Sequence, residues 1–265
     1  MKKYFLLFLM LLVFSNILLY SQSSFTNFGS GTENDPYQLW TKEHLIELTD
    51  SVYNDFYDLN QCWHCNKYFR LMQNIDSVTY AIGFGSFKPA YFHGGGYTIT
   101  ADSSVKIISP PFISVGPLFS SIGGCIDSLT LNGNIVIGFE AIGLSGIFRS
   151  VGILGTVSNC TNNVDALYSG IAYLNYGTII NCINNGNVAS AGITIQNNYK
   201  VISCINTGTI FNTVSTATVG GIVSSANNGH DCISNCINLG SVTGGGSVGG
   251  IIGSLSGGGT GSPVC

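Results

Sequence analysis

Thr178-Ile179-Ile180-Asn181-Cys182-Ile183-Asn184-Asn185-Gly186 decides the fold, because the chain says nearly the same thing several times. Related phrases centre on Cys160, Cys204 and Cys236, and Leu129 holds the matching place in an earlier copy, so that successive copies lie 31, 22, 22 and 32 residues apart. The phrases alternate with glycine-apolar openers: Gly146-Ile147-Phe148, Gly170-Ile171-Ala172, Gly192-Ile193-Thr194, Gly221-Ile222-Val223 and Gly250-Ile251-Ile252. A unit near 22 residues that tolerates insertions is the mark of stacked coils joined by variable loops.

The wording of the repeat predicts how one coil turns. Three residues before each cysteine place stands Ile126, Val157, Ile179, Val201 or Ile233, and one residue before it stands Ser128, Asn159, Asn181, Ser203 or Asn235. Two inward residues three apart break the period of two, so a corner lies between them, and Asn tolerates the left-handed conformation that a corner needs. Asn162, Asn184, Asn206 and Asn238 follow two residues after the cysteine and are expected to stack into a hydrogen-bonded ladder, with Leu131 replacing the amide in the first copy. Gly186, Gly208 and Gly240 are expected to supply the next turn, where Val164 stands in the earlier copy. The cysteines Cys160, Cys182, Cys204 and Cys236 should form a ladder facing the core, packed as small hydrophobes.

Composition agrees with a β-rich chain. Charged residues are 8% of the total, glycines number 35, and the net charge of −4 carries no basic stripe for nucleic acid. Lys2 and Lys3 precede an apolar run from Tyr4 to Tyr20, which reads as a signal peptide over residues 1–21 with cleavage near Ser21 or Gln22. No second apolar run follows, so the mature chain is expected to be soluble, without a membrane span, and extracellular or at the cell surface. Residues 22–114 are read as an N-terminal cap with the first coils, and residues 115–265 as the solenoid repeats. Thr41 is a fair N-cap, Glu43 sits in a first turn, and Leu45, Leu48, Thr49 and Val52 mark one face of a short helix that can cover the open end of a solenoid.

The repeats resemble the GLUG-motif family of bacterial surface proteins. Gly250-Ile251-Ile252-Gly253 is similar to the family's Gly-Leu-apolar-Gly element, and residues 178–186 to its second phrase. The N-terminal stretches Gly29-Ser30-Gly31-Thr32-Glu33-Asn34-Asp35-Pro36-Tyr37, Tyr68-Phe69-Arg70-Leu71 and Phe92-His93-Gly94-Gly95-Gly96-Tyr97-Thr98-Ile99 extend the resemblance over nearly the whole mature chain. It implies a right-handed parallel β-solenoid of the pectate-lyase-like kind, displayed outside the cell, and no common ligand.

Chemistry is harder to find. From residue 115 the acidic residues are Asp127, Glu140, Asp165 and Asp231 and the basic ones Arg149, Lys200 and His230, at no shared place in the repeat. Solvated surface charge is the expectation, and so is a chain that is not an enzyme and holds no cofactor or metal. Its expected role is adhesion, binding or structure, towards a protein or glycan. The alternative is a carbohydrate-active lyase or hydrolase, or its accessory module, for which Glu140 and Asp165 are a formal carboxylate pair. Neither Trp40 nor Trp63 lies in the repeats. Cys62-Trp63-His64-Cys65 reads as a local disulfide rather than a zinc or redox site, since no second pair and no βαβ context accompany it. His44, His93 and His230 look isolated. The last opener, near the end of the sequence, is expected to leave a coil edge through which the chain self-associates.

Overall fold

The computed structural model describes residues 23–57, 62–80, 90–109, 112–115, 118–133, 146–227 and 232–256. It is a parallel β-solenoid with three long sheets along its length and two short two-stranded ones, Ile210–Asn212 with Val242–Gly244 and Val219–Gly220 with Val248–Gly249. The first sheet stacks eight strands in the order Tyr37–Leu39, Tyr68–Leu71, Tyr91–His93, Cys125–Asp127, Thr156–Ser158, Thr178–Ile180, Lys200–Ile202 and Cys232–Ser234. The second runs from Ile75–Tyr80 and Thr98–Ser109 through Thr130–Gly133, Thr161–Asn162, Ile183–Asn184 and Ile205–Asn206 to Ile237–Asn238. A third, six-stranded sheet closes the coil, with Phe119–Ile122 at one end and Ile252–Ser256 at the other. The second sheet carries the one antiparallel pairing among the described residues, a hairpin in which Phe112–Val115 folds back on Thr98–Ser109.

The corner between the first two sheets is where the repeat grammar becomes backbone. Ser128, Asn159, Asn181, Ser203 and Asn235 all take positive φ, between 53° and 54°. That conformation lets the residues on either side both point inward: Val157, Ile179 and Val201 before the corner and Cys160, Cys182 and Cys204 after it are fully buried. Stacking coils then bury a continuous apolar core with no coil self-sufficient. Phe119 and Phe148 stack in the third sheet with ring centroids 5.4 Å apart, and Phe92 meets Phe119 edge-on.

Two further regularities depend on each other. Asn162 Nδ2 donates to Asn184 Oδ1 at 2.8 Å, Asn184 to Asn206 at 2.7 Å, and Asn206 to Asn238 at 2.8 Å, while each amide also donates to the carbonyl two residues on. The opener glycines lie against these amides: a Cβ on Gly170 would fall 2.1 Å from Asn184 Cγ, and one on Gly192 would fall 2.4 Å from Asn206 Cγ. Gly186, Gly208 and Gly240 are needed for a different reason from the one expected. None has positive φ, and a Cβ on Gly186 would land 1.9 Å from Val164 O of the preceding coil. Close backbone approach, rather than turn freedom, selects glycine there.

At the N-terminal end the helix α1, Lys42–Tyr57, packs against Ile75–Tyr80, with Leu45, Leu48 and Val52 buried. Thr41 caps it through a bond from His44 N–H to Thr41 Oγ1 at 3.3 Å. The Glu47 carboxylate accepts from Phe25 N–H and from the Ser24 hydroxyl, tying residues 24–25 to the helix. No helix among the described residues is long and apolar enough to cross a membrane.

Candidate ligand-binding cleft

In-register coils turn every outward position of the first sheet into a column running along the solenoid. Tyr68 pairs with Tyr91, and Tyr91 with Cys125, which pairs with Thr156; one step across the pleat, Arg70, His93, Asp127 and Ser158 form the neighbouring column. In the first column two large rings are followed by two small side chains. Tyr68 and Tyr91 stack on each other with centroids 4.3 Å apart and planes within 10°, so the far face of Tyr91 looks along the column over the small Cys125 and Thr156. That step in side-chain height makes a cleft of about 430 Å³, bordered on one side by Glu33 and Pro36.

The second column brings charge into the cleft. His93 Nδ1 lies 2.5 Å from Asp127 Oδ1, with the two side chains 44% and 36% exposed, so the ring is oriented by the carboxylate and its Nε2 is left for a ligand. Ser128 adds its hydroxyl to the other carboxylate oxygen at 3.4 Å. Arg70 is exposed on the next strand, and no acidic side chain among the described residues pairs with its guanidinium. The Tyr68 hydroxyl is held above its ordinary pKa, first by desolvation and then by the Glu33 carboxylate and the Tyr91 phenol that face it.

The sequence expectations meet this geometry unevenly. His93 is not isolated and Asp127 is not merely solvated: strand pairing sets them side by side across 34 residues of sequence. Asp165 ties its turn to the next coil, accepting from Asn187 N–H at 2.7 Å, while Glu140, His230 and Asp231 lie outside the described residues. His44 is buried and fully engaged, accepting from Trp40 N–H at Nδ1 and donating from Nε2 to Ser23 O.

The cysteines divide into three settings. Cys62 and Cys65 are joined, and the loop they close holds Trp63 stacked on Tyr37, centroids 5.6 Å apart, within an aromatic cluster with Phe25 and Phe69. Buried His64 completes a set of three residues of metal-ligating type whose donor atoms lie within 4.8 Å of one another. With both sulfurs spent in the disulfide only one imidazole could ligate, so these residues do not make a metal site in this form. Cys160, Cys182 and Cys204 form the inward ladder, and Cys236 continues it partly buried; burial pushes the Cys182 thiol well above its usual value. Cys125 faces outward, a free and partly exposed thiol in the cleft, whereas Cys232, at the same column place farther along the sheet, is held in a disulfide.

No family model matches this chain, and no curated protein matches it in sequence, so neither comparison supports the resemblance to the GLUG-motif family. Among solved structures the chain is similar to the crystal structure of "a putative immunoglobulin A1 protease" from Bacteroides ovatus, at a TM-score of 0.57 and 19% identity, over 85% of this chain and 73% of that one. At that identity the likeness shows the fold: a parallel β-solenoid. It also overturns the expectation that the chain is not an enzyme, because a protein with this scaffold bears a protease's name and the architecture can no longer be assigned to a non-catalytic class.

Proposed function

We propose that this chain is an exported β-solenoid, displayed at the cell surface, that binds a glycan in the cleft on the outer face of its first sheet. The observation that carries the reading is the Tyr91 ring, stacked on Tyr68 behind and open in front, with Arg70 and the His93–Asp127 pair one column away. An apolar ring face fits the C–H face of a sugar, while a guanidinium and a carboxylate beside it can share vicinal hydroxyls. The Lys2-Lys3 start and apolar run to Tyr20 support export, and the Cys62–Cys65 disulfide is at home in an oxidising compartment.

A glycan array on the mature chain tests this, followed by titration of the best glycan against Tyr91→Ala and Arg70→Ala. Each substitution is expected to weaken binding at least about tenfold, or about 1.4 kcal/mol. Unchanged affinity in both would move the site elsewhere. A polypeptide ligand is the second reading, favoured by the name of the Bacteroides ovatus protein, and binding to immunoglobulin with no glycan signal would select it.

A further inference from the structure

Four features of the cleft meet at one place: an outward free thiol, a histidine, a carboxylate bound to that histidine, and room for a ligand. Cys125 and Asp127 are alternate residues of one strand and share its outer face; His93 lies directly opposite Asp127 on the neighbouring strand. Cys125 and His93 are therefore diagonal neighbours, about 7–8 Å apart at Cα, a gap that an imidazole ring and a sulfur can span between them. No hydrogen bond joins Sγ to the ring, and closing the contact takes a side-chain rotation, as is common for catalytic pairs before substrate binds. Among the described residues the other cysteines are structurally committed, inward or in disulfides, and the column place of Cys125 is held elsewhere by Tyr68, Tyr91, Thr156, Thr178, Lys200 and the disulfide-bonded Cys232, so the packing of the coil does not require a free thiol at 125.

We propose that Cys125 is a nucleophile for acyl transfer, with His93 as its base and Asp127 as the positioning residue, acting on carboxylic esters carried by the glycan that occupies the cleft. The proposal rests on the glycan reading above for its substrate but not for its chemistry. Asp127 lies against Nδ1, and a neutral ring that donates from Nδ1 to this carboxylate carries its lone pair at Nε2, where a base needs it. Nε2 takes the Cys125 proton as Sγ bonds to the ester carbonyl carbon; the carbon–oxygen bond to the sugar breaks, and the departing sugar oxygen receives that proton from His93. Water, deprotonated by His93, then attacks the thioester, the carbon–sulfur bond breaks, and the thiol regains its proton. The products are a carboxylic acid and an alcohol, and no oxidant or reductant is required.

The test uses the mature chain with p-nitrophenyl acetate as acyl donor and iodoacetamide as a probe of the thiol. A burst of one p-nitrophenolate per chain is expected, with the acetyl group found on the Cys125 peptide by mass spectrometry. Cys125→Ser should abolish the burst at an unchanged melting temperature, and His93→Ala should slow acylation about a hundredfold. Arg70, Tyr68, Tyr91, Glu33 and Asp127 also face this region, so the pH profile of Cys125 alkylation provides the reading that a structural role would not move. Across that profile the intact chain should be alkylated faster than Asp127→Asn and His93→Ala, because the imidazole takes the thiol proton. Equal alkylation rates in the intact chain and His93→Ala across that profile overturn the proposal. Glycan binding without acylation sinks the nucleophile and leaves the binding reading standing; acylation without glycan binding does the reverse.

Discussion

Asn181 holds φ at 54° between Ile179 and Cys182, both fully buried, and this one residue shows what the repeat demands of side chains. A β-branched residue in that conformation meets its own backbone, at a cost of about 1–2 kcal/mol. Asn181→Val should therefore lower the unfolding free energy measured in urea by that amount, while Asn181→Gly should be nearly neutral; equal losses would mean that the amide rather than the backbone angle matters. Cys182→Ser places a hydroxyl in an apolar stack and should destabilise by about 1–3 kcal/mol. Since burial raises the Cys182 pKa, the folded chain favours the protonated thiol. The stability this contributes is present below the unfolded-state value near 9 and is lost as pH rises above it. Melting temperature should fall above about pH 9, and less steeply in Cys182→Ala. These demands were legible in the sequence because backbone angle and burial act within three residues. The partnership of His93 with Asp127 was not, since it depends on register between strands 34 residues apart, and Tyr91-Phe92-His93-Gly94 lacks the cysteine and asparagine that announce the later coils.

Among the elements, the asparagine ladder and the opener glycines act as one device. Gly170→Ala would drive a methyl into Asn184 and the Gly192 carbonyl, and overpacking of this kind costs about 1–3 kcal/mol. Removing the amide as well, in Gly170→Ala with Asn184→Ala, should recover part of that loss in a double-mutant cycle; strict additivity would show that the two do not touch. The ladder was readable from spacing alone, but the glycines' dependence on it was not, because the contact joins a residue to the coil beside it. A second ladder, from Asn175 Nδ2 to Asn197 Oδ1 at 2.6 Å, went unread for a related reason: Val151 and Ala226 fill the same place in the flanking coils, so no run of amides marks it. The helix was legible from its Thr41 cap and apolar stripe, and Leu48→Ala should cost about 2–5 kcal/mol by leaving a cavity at that end.

For the molecule as a whole, the solenoid converts a 22-residue repeat into columns, and the cleft exists only because coils stack in register. The three sheets share one core from Phe69 and Leu71 to Val223 and Ala226, so the N-terminal segment and the repeats stack along one column set. Circular dichroism should show strand and turn with one helix of 16 residues, Lys42–Tyr57. The most direct test of the register is a distance along one column, from Arg70 to Ile202, which lie five strand steps apart in the first sheet. At about 4.8 Å per step the two backbones are about 24 Å apart. Spin labels at Arg70→Cys and Ile202→Cys, in a Cys125→Ser background, should give a single narrow distribution within about 20–30 Å once the label arms are included. A broad distribution, or one centred beyond about 40 Å, would contradict the stacked-coil arrangement and with it the cleft.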